Sequence, residues 1–392
     1  MSANSVTVLI PTFNRAHLLT ESLDTILAQT RKPDEIIIIN DGSTDDTIAR
    51  LEPYKNDIRV LNQDNAGKSA ALNKALTLAQ GDLIWVFDDD DLAEPDALET
   101  MLGLLENNPE ADFAYGRHDR FEVLPDGDVK WQDTGYWRES SSEDFLFDTL
   151  LDMFAHQPGM LVRKSLYMRA GAFDETLIRS QDYDMLLRLA RYGRAAPTEK
   201  VLFHQRQHNM PRGTAKSVVD AEERMTVWQR YDRIIFGKMY ESLPLGKYLP
   251  ADCALTEPGM MRRALIRRGI VMARKNFWKE AEEDFSRAAR ITDKGLTAEE
   301  VADLRKLFMV KYACDERVLE PEVRKLLLAV KQVSPVGGQL VRALGRGLVW
   351  RIRLALQMGK LPLAFRLASL VAVLNTPHKN VSREASSSFV RR

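Results

Sequence analysis

The sequence predicts an α/β fold with a mostly parallel central sheet, followed by an all-α region. In the first half, short apolar runs alternate with stretches whose apolar residues recur at helical spacing, the signature of repeated strand–helix units. From about residue 215 onward only the helical period is expected. A chain of 392 residues also exceeds one ordinary core and suits two units.

The elements follow in order. VTVLI (6–10) is a short β-branched run, and Leu18, Leu19, Leu23, Ile26 and Leu27 then mark one side of a helix. EIIIIN (35–40) is nearly all apolar, as a strand buried on both faces must be. IRVLN (58–62) reads as a third strand, 67–79 as a helix and LIWVF (83–87) as a fourth strand. PDALETMLGLLEN (95–107) opens a helix with Pro95 near its first turn. DFAYG and RFEVL read as two further strands, and 125–142 is polar and turn-rich. GMLVR (159–163) stands between short helices; 182–192 is an amphipathic helix and VLFHQR (201–206) another strand. Repeated strand–helix units imply right-handed crossovers. A boundary is expected near SLPLGKYLP, dividing the chain into residues 1–240, a helical domain 241–376 and a disordered tail 377–392.

Composition excludes several classes. The formal net charge of −1 does not suit a nucleic-acid binder. Two cysteines, Cys253 and Cys314, argue against a disulfide scaffold or a zinc cluster and fit a reducing cytosol. The N-terminal MSANSVTVLIPTFN lacks a basic segment before its apolar run, so it is not expected to be a signal peptide. No stretch reaches the ~18–20 apolar residues needed to span a bilayer.

Parallel sheets bind ligands beyond the carboxyl ends of their strands, so the residues after each strand carry the chemistry. The first strand ends in Pro11-Thr12-Phe13-Asn14-Arg15, and the second in Asn40-Asp41-Gly42-Ser43-Thr44-Asp45. The third is followed by Asn65-Ala66-Gly67-Lys68, and the fourth by Asp88-Asp89-Asp90-Asp91. Packed carboxylates repel and raise each other's pKa unless a cation neutralises them. An oxygen-rich cluster suits Mg²⁺ or Mn²⁺.

The order PTFNR, NDGSTD, DNAGKSAALN, FDDDD, GAFDE and SQDYDMLLRLARYG resembles the family 2 glycosyltransferases of the GT-A fold, over roughly residues 5–235. The resemblance implies a nucleotide-sugar donor, a saccharide or lipid-linked acceptor, and surface polysaccharide or glycolipid assembly. It implies that Asp41 binds the base, with UDP the expected nucleotide, and that Pro11, Thr12, Asn14 and Arg15 surround it. Lys68, Asp88, Asp89 and Arg206 fall at donor positions. Asp88 and Asp90 match the DxD pair, Asp90 as the direct ligand of Mn²⁺ or Mg²⁺, with His208 near the metal. Asp182 matches the catalytic base; Gln181 stands where the family usually has glutamate, which leaves acceptor contacts open. Asp184 is a rival acid. Trp131, Tyr136 and Trp137 fall in the variable acceptor stretch, where aromatics can stack on sugars or pack in the core. The reaction implied is a single displacement that inverts the anomeric centre. A nucleotidyltransferase would need a Gly-rich phosphate loop after the first strand, which PTFNR is not. An adaptor with an inactive front half would not need Asp41, Asp88, Asp90 and Asp182 together.

In the second half, Gly269, Met272, Ala281, Phe285 and Ala288 resemble the small and large positions of one tetratricopeptide-type helix pair. Residues 338–392 carry ten Lys or Arg against one acid, Glu384, interleaved with apolar residues. That pattern reads either as a basic helix for an anionic membrane, at the inner face of the plasma membrane, or as a solvated face over a helical core.

Overall fold

Apolar β-branched runs set the centre of the first unit. β1 (Val6–Thr12), β2 (Glu35–Asp41), β3 (Arg59–Gln63) and β4 (Leu83–Val86) run parallel, side by side in the order β3-β2-β1-β4. The chain steps from β1 outward to β2 and β3, then returns to the other side of β1 as β4. The strand order therefore reverses between β1 and β4, and a ligand crevice forms beyond the carboxyl ends of such a pair. Val6, Val8, Ile10, Ile36, Ile38, Trp85 and Phe87 are all buried in one core. The computed structural model describes residues 4–132, 134–138, 140, 143–207, 212–214, 217–219, 224–250, 253–309 and 316–376.

Helices α1 (Ala16–Leu27), α2 (Thr47–Leu51), α3 (Lys68–Leu78) and α4 (Ala97–Asn107) connect or follow these strands. Beyond β4 the sheet changes character. β5 (Leu92–Ala93), β6 (Phe113–Val123), β7 (Val129–Gln132), β8 (Met160–Arg163) and β9 (Ala195–Arg206) complete nine strands. β8 lies antiparallel to β4 and β6, whereas β9 runs parallel to β6. The two runs DFAYG and RFEVL are one strand, β6, whose register against β9 shifts on either side of Arg117. The irregularity interrupts the apolar alternation without ending the strand.

α5 (Phe145–Leu151), α6 (Lys164–Ala170) and α7 (Gln181–Tyr192) fill the intervals, and α8 (Arg224–Ser242) follows. One expectation is corrected: the stretch past residue 215 is not helical throughout. Ser217–Val219 forms a strand, β11, antiparallel to β10 (Arg212–Thr214). A three-residue strand is too short to leave a period in the sequence, and only its partner defines it.

The chain divides into two units, Met1–Glu241 and Ser242–Arg392. The second holds α9 (Pro258–Arg274), α10 (Trp278–Ile291), α11 (Ala298–Met309), α12 (Pro321–Val333), α13 (Pro335–Gln357) and α14 (Leu361–Asn375). α9 and α10 pack as a pair: Met272, Ala281, Phe285 and Ala288 are buried, and a Cβ on Gly269 would come within 2.6 Å of the Phe285 ring. Residues 377–392, expected to be a disordered tail, lie outside the described residues. Among the described residues no helix is long and apolar enough to cross a membrane.

The α9–α11 contact is held by buried charge. Arg262 forms a two-pronged pair with Glu300, at 2.7 Å on each prong, and Arg267 donates to Asp303 at 2.8 Å. Arg267 and Asp303 are only 1% and 3% exposed. Removing one partner leaves the other charge buried and uncompensated. Asp303→Ala is expected to destabilise this unit by about 3–5 kcal/mol, read by denaturant unfolding. An unchanged midpoint would show that water or another group takes over the guanidinium.

Candidate active site

Four loops leave the carboxyl ends of β1–β4, and polar side chains knit them together. Asn14, itself left-handed at φ 53°, accepts from the Thr44 amide at 2.7 Å, while its own amide donates to Ser43 Oγ at 3.0 Å. Asp45 accepts from the Ala16 amide at 3.1 Å, at the start of α1. These bonds join the first loop to the second.

Asp41 joins the second loop to the third. Its Oδ1 accepts from Gln63 Nε2 at 2.7 Å and from the Ala66 amide at 2.8 Å. Its Oδ2 accepts from the Gly67 amide at 2.8 Å and from Asn65 Nδ2 at 3.1 Å. A carboxylate offers about four lone-pair sites, so all are engaged. A ligand N–H can reach this acid only where Gln63 or Asn65 swings aside. The approach also requires Gly42: its φ is +77°, and a Cβ there would meet the Asn65 amide nitrogen at 2.7 Å.

The fourth loop is the acidic one, placed by Leu83–Val86. Asp89 is buried and accepts from Thr12 Oγ1 at 2.7 Å and Arg15 Nη1 at 2.9 Å. Arg15 also donates to Asp90 at 2.8 Å. Burial opposes the Arg15 charge, but Asp89 and Asp90 outweigh it and hold its pKa above the ordinary value. Burial raises the pKa of Asp89 and Asp90 adds to that, with Arg15 pulling the other way. Lys68, the first residue of α3, donates to Asp88. Burial lowers its pKa, yet Asp88 and then Asp182 more than restore it. Pro11 is buried within β1.

Asp88, Asp90 and Asp91 offer carboxylate oxygens that all lie within 4.8 Å of one another. Oxygen-only donors at that spacing fit Mg²⁺ or Mn²⁺. Asp91 is the member of this trio that motif reading missed; its place depends on β9, because its Oδ1 accepts from the Arg206 amide at 2.9 Å. The Arg206 side chain braces the loop. Its Nε donates to the Asp90 carbonyl at 2.9 Å, its guanidinium reaches Glu21 and it lies 4.7 Å over the Phe121 ring. His208 lies outside the described residues.

On the far side of the crevice, α7 begins after Ser180, which is held left-handed at φ 60°. Non-glycine residues in that region store strain and cluster at functional sites. Asp182 stands in the first turn, half-buried, and accepts from the Tyr183 amide at 2.8 Å. The rival Asp184 is buried and committed to Arg188, at 3.0 and 2.6 Å, whose Nη1 also holds the carbonyls of Ala170 and Ala172. Asp182 shares a small cavity with Gln157, Met153, Met160 and Met185. Both polar atoms of the buried Gln157 amide lack a hydrogen-bond partner among the described residues. Trp85 Nε1 donates to the Pro158 carbonyl at 2.7 Å, tying this turn to β4. His156 precedes it. Sequence reading missed Gln157 and His156, whose only local signal was the Pro-Gly turn after them. Of the aromatics, Trp137 packs 5.2 Å from Tyr115, and Trp131 is 57% exposed.

Residues 7–171 match the model described as glycosyl transferase family 2. Over those residues the chain is similar to the family 2 glycosyltransferases. It is 28% identical over 235 residues to an uncharacterized glycosyltransferase of Rickettsia typhi, covering 58% of this chain and 71% of that protein. It is 32% identical over 207 residues to a chondroitin synthase of Pasteurella multocida, covering 52% of this chain and 20% of that protein. The fold resembles residues 1–349 of S. aureus TarS, solved in complex with UDP-GlcNAc. There the TM-score is 0.51 at 17% identity, over 91% of this chain and 92% of that one.

His156 gives the site a pH signature. Burial, with help from Arg120, lowers its pKa from 6.5 to about 4, although Asp182 and Asp88 pull upward. The unfolded chain therefore takes up this proton first as pH falls, and stability is lost between about pH 6.5 and 4. His156→Gln removes that contribution. The drop in melting temperature from about pH 7 to about pH 4.5 is expected to be smaller in the variant than in the parent; equal drops would mean that His156 is solvated.

Proposed function

We propose that the chain is an inverting, metal-dependent glycosyltransferase. It moves a sugar from a nucleotide-sugar, with UDP the preferred nucleotide, to a hydroxyl of a saccharide or lipid-linked saccharide in surface polysaccharide or glycolipid assembly. The reading is carried by one arrangement: a trio of closely spaced carboxylates lies near Lys68, which Asp88 of that trio and Asp182 both influence. The residues 1–240 are taken as the catalytic domain and 241–376 as a helical domain that meets an anionic membrane surface at the cytoplasmic face.

In this reading Asp88, Asp90 and Asp91 would hold Mn²⁺ or Mg²⁺, and the ion would supply charge stabilisation to the departing diphosphate. The chain's own residues do the rest. Lys68 adds a fixed positive charge where the leaving group develops negative charge. Thr12 and Arg15 keep Asp89 in place, so the acid loop holds its shape. Asp182 accepts the acceptor's hydroxyl proton as that oxygen attacks the anomeric carbon. Attack from the face opposite the leaving group inverts the centre, through an oxocarbenium-like state.

Nucleotide release from a panel of UDP- and GDP-sugars, with and without Mn²⁺, tests the whole reading. No release from any donor would sink it. Asp90→Ala is expected to abolish turnover and metal-dependent donor binding, a loss of several kcal/mol in the barrier; wild-type activity of this variant in EDTA would remove the metal from the site. Asp182→Asn is expected to keep donor affinity while the transfer rate falls by ~10²–10⁴. Equal loss of donor binding would instead assign Asp182 to the donor pocket.

A further inference from the structure

The hairpin of α13 and α14 exposes an apolar face among the described residues. α13 closes on Gly359, whose φ is +70°. The Lys360 amide donates to the Ala355 carbonyl at 2.8 Å and the Gly359 amide to Leu356 at 3.0 Å, the bond pair of a glycine-terminated helix. α14 starts at Leu361. Around this turn the large apolar side chains face solvent: Leu356 is 51% exposed, Met358 58%, Leu361 63% and Phe365 75%. Val349 and Trp350, at 39% and 41%, extend the face along α13. Single exposed apolar residues are ordinary, but six within one short stretch form a patch.

The charges on the hairpin segment itself share one sign. Residues 335–376 contain Arg342, Arg346, Arg351, Arg353, Lys360 and Arg366, with no Asp or Glu. Arg351 lies 5.0 Å over the Trp350 ring, and Arg366 is 3.7 Å from Glu316. Arg346, Arg353 and Lys360 are exposed. Aromatic and leucine side chains among arginines suit the boundary between lipid headgroups and acyl chains. Two copies meeting here would set like charges against each other, which opposes self-association.

We propose that this hairpin tip is a docking face for an anionic lipid surface. Leu356, Met358, Leu361 and Phe365 enter the headgroup boundary, while Arg353 and Lys360 meet lipid phosphates. The proposal deepens the membrane partner named above by assigning it to one turn, and its test is separate from that of glycosyl transfer.

The full chain is sedimented with phosphatidylcholine vesicles, with and without phosphatidylglycerol. The parent is expected to pellet with the anionic vesicles at low salt and to be released as salt rises. Leu361→Glu with Phe365→Glu is expected to stay in the supernatant. Arg353→Glu with Lys360→Glu is expected to weaken partition about fivefold or more for each charge removed, since a basic residue near such a surface contributes about 1 kcal/mol. All are expected to melt like the parent, because the altered side chains are exposed. The proposal is overturned if the parent stays in solution with anionic vesicles, or if both variants pellet as it does. It is also overturned if the parent is a dimer that Leu361→Glu with Phe365→Glu makes monomeric without vesicle binding. Nucleotide release measured on the same samples reports on the transfer reading, which can stand while this one falls.

Discussion

Four acidic side chains in a row, three of them buried, must be neutralised for the first unit to fold as it does. Like charges at the end of a buried strand would otherwise raise each other's pKa and push the loop apart. The groups that hold the acid loop come from four directions. Arg15 arrives from the loop after β1, Lys68 from the start of α3, and the Arg206 amide and side chain from the end of β9. Ser22, on α1, donates to the Asp88 carbonyl at 3.0 Å. The acid loop therefore gathers elements that lie far apart in the chain, and the crevice takes its form around them.

The same arrangement separates two kinds of basic residue that look alike in a sequence. Arg15 and Arg206 bond to the acid loop and its neighbours. Lys68 stands between Asp88 and Asp182, where both raise its affinity for a proton against the cost of burial. Asp182 and Asp184 differ in the same way. They lie two residues apart, yet Asp184 is bound to Arg188, while Asp182 opens onto the cavity floored by Gln157.

How much of this was legible before the structure depends on the range of the interaction. Strands such as EIIIIN and the acids after LIWVF announce themselves locally, through burial on both faces and an abrupt change of polarity. The helix carrying Asp182 is equally visible, from its amphipathic period. What could not be read is long-range. Asp91 joins the carboxylate trio while its other contact comes from β9, more than a hundred residues later. The turn after His156 and Gln157 is tied to β4 by an indole bond from Trp85 to the Pro158 carbonyl, and His156 packs on His118 of β6. Arg206 turns inward because Phe121 and Glu21 await it there. β10 and β11 define each other across a turn and leave no trace in periodicity.

Asp41 has a consequence for how such a chain can vary. Two of its four hydrogen-bond donors are backbone amides, those of Ala66 and Gly67. Side-chain exchange short of proline cannot alter them, so they ask for a hydrogen-bond acceptor whatever other residues stand at 66 and 67. Substituting Asp41 would orphan them and loosen the segment that leads into Lys68. The side chain's range of acceptable alternatives is thus narrowed by architecture before any ligand is considered. The neighbouring Gln63 and Asn65 are replaceable by comparison, and variation around this carboxylate in descendants of the chain would be channelled through those two positions.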